Sequence, residues 1–61
     1  MNEYDTVREY LLASGQVNDI EYITDYGEGY ICICRTDDGV KEIYFVWLDE
    51  VDGWSWTQII V

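Results

Sequence analysis

Sixty-one residues are enough for one domain, or for part of one if a partner completes the core. Thirteen Asp and Glu stand against three Lys and Arg with no His, a net charge of −10, so direct binding to nucleic acid is disfavoured, since it would bring together surfaces of the same sign. Three Trp, six Tyr and one Phe, in a chain that is 49% hydrophobic, are too much apolar material for an acidic disordered segment.

Residues 3–14 read as a helix. Tyr4, Val7, Leu11 and Ser14 form a stripe at helical spacing that Tyr10 and Leu12 widen. Asn2 is a candidate N-cap, Glu3 and Asp5 suit the positive start of the helix, and Gly15 supplies a left-handed stop. From Ile20 the period changes to two. Ile20 to Tyr26 alternates modestly and ends at Gly27-Glu28-Gly29; Tyr30 to Thr36 is a β-branched and aromatic run ended by Asp37-Asp38-Gly39. Val40 to Leu48 is the clearest strand, residues 49–53 form another turn, and Trp54 to Val61 a last strand. The expected fold is α+β: one N-terminal helix packed on a four-stranded antiparallel β-meander, α-β-β-β-β, in a single acidic domain over residues 1–61.

Both faces of that sheet carry apolar side chains. Ile43, Phe45 and Trp47 oppose Val40, Tyr44, Val46 and Leu48; Ile31 and Ile33 oppose Tyr30, Cys32 and Cys34; Ile59 and Val61 oppose Trp54, Trp56 and Ile60. A sheet with one wet face alternates cleanly between apolar and polar. A helix of roughly 12 residues is about 18 Å long and covers one face at most, so the other is expected to be a contact surface, for a partner or for a second copy in a homodimer. Trp54 and Trp56, two apart on one strand, are either core beneath the helix or an aromatic anchor for a partner.

Catalytic and metal-binding signals are weak. Without His, a nucleophile would depend on carboxylates or on Lys41 for its base, and neither Ser14 nor Ser55 lies in a motif. A single thin sheet offers no deep cleft to raise a carboxyl pKa for glycoside hydrolysis. The expectation is no enzyme and no cofactor. Cys32 and Cys34 supply two of the four ligands that structural zinc needs, and residues 49–53 lack the register of a calcium loop. Two strand positions apart, the cysteine Cα atoms would lie about 6.6–6.8 Å from each other, at the limit for a disulfide. Free thiols in a reducing cytoplasm are expected instead. No basic stretch precedes an apolar one as in a signal peptide, and no uncharged run is long enough to cross a bilayer.

Acid placement is the remaining signal. Residues 1–30 carry seven acids and one base, residues 31–61 six acids and two bases, so the charge is no tail. In a meander, turns 25–29 and 49–53 share one end of the sheet, and Asp19, Glu21, Asp37 and Asp38 lie at the other. Carboxylates rimming a compact body resemble the charge rows of a nucleic-acid strand, at one per about 3.4 Å, and compete for a basic groove. A charge of about −3 would already serve solubility. In size, charge and compactness the chain resembles the small acidic proteins with which bacteriophages and mobile elements block host nucleic-acid enzymes: restriction inhibitors, uracil-DNA glycosylase inhibitors and anti-CRISPR proteins. No motif supports that likeness and no residue role follows from it. The expected partner is a basic nucleic-acid-binding protein. Asp25, Glu28, Asp49, Glu50 and Asp52 would form one acidic edge, Asp37 and Asp38 the other, with Trp54 or Trp56 as the apolar anchor. The alternative is an interaction module whose exposed apolar sheet face binds its partner while the charge only keeps it in solution.

Overall fold

The computed structural model describes residues 3–60; the Asn2 cap and Val61 lie outside them. Helix α1 (Glu3–Ala13) precedes strands β1 (Asp19–Tyr26), β2 (Gly29–Arg35), β3 (Lys41–Asp49) and β4 (Gly53–Ile59). They form one antiparallel sheet in the order β1-β2-β3-β4, the α-β-β-β-β meander expected.

The helix stops where its sequence tells it to. Ser14 N–H still donates to the Tyr10 carbonyl at 3.1 Å, and Gly15 then takes φ 80°, a left-handed conformation in which a Cβ is disfavoured. Val7 and Leu11 are fully buried, whereas Leu12 and Tyr4 are 37% and 39% exposed, so the buried stripe is narrower than the expected one. It closes on Val17, Ile20, Cys32, Cys34, Tyr44 and Val46, with Tyr10, Ile23, Tyr30, Trp54 and Trp56 packed around them.

Strand β1 shows why its alternation is weak. Ile20 pairs with Cys34 and Tyr22 with Ile33, leaving Glu21 as the extra residue of a β-bulge. The bulge brings Ile20 and Ile23, three apart in sequence, onto the helix side together. It also sends Glu21 toward Arg35 and Lys41, at 3.0 and 3.8 Å.

The first and last turns are tighter than their sequence limits, whereas the middle one is wider: residues 36–40 lie between β2 and β3, so Thr36 and Val40 fall outside the strands. Tyr26 pairs with Gly29, so the first hairpin loop is Gly27-Glu28 alone, with Gly27 at φ 57°. At the last turn the Asp49 carboxylate accepts the Val51 and Asp52 N–H groups at 2.7 and 3.1 Å, and Asp49 pairs with Gly53.

By register, α1 covers the face of Cys32, Cys34, Tyr44, Val46, Trp54 and Trp56. The opposite face is left open. It carries Tyr22, Thr24 and Tyr26 from β1, Ile31 and Ile33 from β2, Ile43, Phe45 and Trp47 from β3, and Ser55, Thr57 and Ile59 from β4. None of these eleven side chains is charged, and both of the strands' cations, Arg35 and Lys41, stand as a cross-strand pair at one end of the face.

Candidate functional site

Chain direction decides which acids meet. Strands β1 and β3 run toward the end that holds loops 27–28 and 50–52, and β2 and β4 run away from it. That end carries Asp25, Glu28, Asp49, Glu50 and Asp52. The helix adds a sixth carboxylate: the Tyr30 hydroxyl donates to Glu3, and Glu3 lines a shallow hollow with Asp25, Glu28 and Tyr30. Asp25, Glu28, Glu50 and Asp52 are exposed. The three Lys and Arg side chains lie elsewhere. Arg8 donates to the Ile20 carbonyl at 3.2 Å, and Arg35 and Lys41 are at the far end of the sheet.

Asp37 and Asp38 are exposed in the loop between β2 and β3, at the far end. They are thus separated from the other five sequence-selected carboxylates by the length of the strands. Glu21, at that same far end, is engaged by Arg35, whose hydrogen bond holds its carboxyl below the usual carboxylate range. The two ends therefore differ: among the described residues one gathers carboxylates without Lys or Arg, and the other mixes acids with both strand cations.

Asp49 is the member of the cluster with a structural duty. The Val51 and Asp52 N–H groups stabilise its ionised form and lower its pKa. It caps the turn that presents Glu50 and Asp52. Glu3 was missing from the sequence-derived set because its position depends on tertiary geometry. A helix of 11 residues, about 16 Å long, returns over the sheet after a short connection and brings its first turn to the end where β1 finishes.

Trp54 and Trp56 are half-buried on the helix side. Trp54 packs against Tyr10 and Tyr30, each with centroids at 6.3 Å, and Trp56 meets Tyr44 edge-on at 5.3 Å. The aromatic surface turned outward is a different one. On the open face Phe45 and Trp47 stack at 5.5 Å with an interplanar angle of 19°, and Tyr26 meets Phe45 edge-on. A depression of about 310 Å³ runs between Phe45, Trp47, Leu48, Thr57 and Glu28, so this aromatic surface reaches the acidic end.

Neither cysteine is poised for chemistry. Both are fully buried and free. Desolvation pushes Cys32 up to about 11 against a small opposing pull from Arg8, and pushes Cys34 up to about 12 with help from Cys32 and the neighbouring acids. Among the described residues no group of three or more His, Cys, Asp or Glu is arranged to hold a metal ion, and no helix is long and apolar enough to cross a membrane. Comparison with protein-family models, curated proteins and solved structures finds no match to this chain.

Proposed function

We propose that this is a non-catalytic acidic inhibitor that imitates nucleic acid and occupies the basic groove of a nucleic-acid-processing enzyme. It would be of the counter-defence type carried by phages and mobile elements, acting in the cytoplasm against restriction or CRISPR machinery. One observation carries the reading: Glu3, Asp25, Glu28, Asp49, Glu50 and Asp52, drawn from the helix and from two hairpins, converge on one end, and the side-chain cations are elsewhere. Such asymmetry is unnecessary for solubility, which depends on net charge. It orients the molecule in the field of a positive groove and speeds encounter.

The test is competition. A labelled DNA duplex is displaced from a panel of restriction nucleases, glycosylases and CRISPR effectors by the protein, at low and at moderate salt. The expected result is inhibition of one class, with affinity falling at least tenfold as salt rises. The joint Asp49→Asn, Glu50→Gln, Asp52→Asn variant should lose that inhibition. Asn at 49 keeps the oxygen acceptor for Val51 and Asp52, so the turn persists. Inhibition that survives the triple change at physiological salt would sink the proposal.

The open face favours a second reading, in which an apolar partner docks on the sheet. Trp54 and Trp56 lie on the covered side, so this reading is tested at Trp47. Trp47→Ala should abolish partner binding with little dependence on salt.

A further inference from the structure

The open face is the largest feature that the acidic end leaves unexplained. Ile31, Ile33, Ile43, Phe45 and Trp47 are only partly covered, and Tyr22 and Tyr26 are 56% and 65% exposed. We infer that this face pairs with the same face of a second copy of the chain, about a two-fold axis that lies between the sheets and runs across the strands. The inference stands independently of the acidic-end reading.

The charges at the two margins select the axis. Two identical sheet faces can meet about an in-plane axis along the strands or across them. An axis along the strands would set each end over its own image. The Arg35, Lys41 and Glu21 cluster would then face its own image, and the acidic end would face the acidic end with no cation between them. An axis across the strands reverses strand direction and sets β2 over β2 and β3 over β3. By register, Lys41, at the start of β3, then lies opposite Asp49 of the second copy, at the end of β3. Arg35, at the end of β2, lies opposite the Gly27-Glu28 turn of the second copy. Lys41, which with Arg35 flanks Glu21 of its own copy, thus meets a carboxylate of the second copy, and the uncharged rows meet uncharged rows. The row Thr24, Ile31, Phe45 and Thr57 falls on the axis and faces itself.

Size is compatible with a reversible dimer. Four strands about 4.8 Å apart and about seven residues of about 3.4 Å rise give roughly 450 Å² of flat face per copy. With side-chain relief the two copies together reach about 1,200 Å², the lower limit of specific interfaces. Sheets stacked about 10 Å apart, turned by about 30°, allow Phe45 and Trp47 to interdigitate with Ile43 and Ile33 of the second copy. Each copy carries −10, so mutual repulsion opposes assembly, and salt, by screening it, favours the dimer.

The test is mass in solution with positioned probes. Sedimentation equilibrium at moderate salt should show a concentration-dependent monomer–dimer mixture with a dissociation constant in the micromolar range, tightening as salt rises. Thr57 is exposed on the open face and outside the core. Thr57→Arg sets two like charges near the axis and should raise the dissociation constant at least tenfold while leaving circular dichroism and melting unchanged. Thr57→Cys should cross-link to itself with a short bis-maleimide, as should Thr24→Cys, because Cys32 and Cys34 are buried. The Glu50→Gln, Asp52→Asn pair, outside the interface, should leave the dimer intact even if it abolishes groove binding, so the two ideas fail separately. A mass of 7.2 kDa at every concentration overturns the inference. So does a dimer indifferent to Thr57→Arg, or cross-linking found only between Thr24→Cys and Thr57→Cys.

Discussion

Gly29 shows how one residue sets the shape of the open face. It is buried in β2 opposite Trp47, and a Cβ built there would overlap the Val46 carbonyl and stand 2.7 Å from the Phe45 ring. The ring occupies the space that a side chain would need. Gly29→Ala should therefore force Phe45 aside and cost about 1–3 kcal/mol, read as a lower urea midpoint and a changed Trp47 emission. At Gly15 no atom lies within 4 Å of the added Cβ, and only the positive φ opposes it. There Gly→Ala costs backbone strain without a clash. Cys32, Cys34 and Tyr44 show the other side of burial. Desolvation lifts the two thiols from 9.0 to about 11 and about 12, and lifts the Tyr44 hydroxyl, which donates to Glu42 at 2.9 Å, to about 12. Their folded values exceed their unfolded ones, so their contribution is fully present below about pH 9 and fades as pH rises toward 11–12. Melting temperature should fall over that alkaline window. In the folded protein both thiols should resist a disulfide reagent at pH 8 and react on addition of urea.

At the scale of elements, α1 is held by few groups. Val7 and Leu11 are its fully buried side chains, Tyr10 adds an aromatic contact with Trp54, and Arg8 ties it to β1. Leu11→Ala should cost about 2–5 kcal/mol, which matches the whole stability expected of a domain this small. The expected outcome is a chain without a cooperative melt. The β3–β4 turn depends on an ionised Asp49. Its folded pKa lies below the unfolded value, so its contribution is present above the ordinary carboxylate range and is lost as pH falls through the lowered value. Asp49→Ala should thus destabilise the protein at pH 7 and lose most of that effect in strong acid, seen as converging melting temperatures. Strand β1 teaches a separate lesson. Its bulge lets two isoleucines three apart share one face, a solution that strict alternation hides.

For the whole molecule, charge is the dominant long-range term. Ten net negative charges confined within 33 × 26 × 19 Å repel one another and lower stability. Glu21 is engaged by Arg35 and Lys41 within 4 Å, and those contacts are at the surface, where pairs stabilise little. Moderate salt should therefore stabilise the fold, by about 1 kcal/mol or roughly 4–8 °C in a domain of this size. Binding to a positive groove should weaken over the same salt range. Opposite salt responses of one protein, in melting and in binding, separate self-repulsion from recognition.

The chain's own pattern determined the order of elements and the positions of the turns, because helical and strand periods differ, and glycines stand where the chain must take a positive φ: Gly15, Gly27, Gly39 and Gly53. It also determined that both sheet faces are apolar, since strand parity follows from covalent geometry. Which face the helix covers was decided by tertiary structure. The helix closes Val7 and Leu11 on Cys32, Cys34, Tyr44 and Val46, and the Phe45–Trp47 stack stands on the other face. The place of Glu3 beside Asp25 and the pairing of Glu21 with Arg35 were decided there as well. Both depend on distances between segments far apart along the chain, which packing sets and local sequence does not encode.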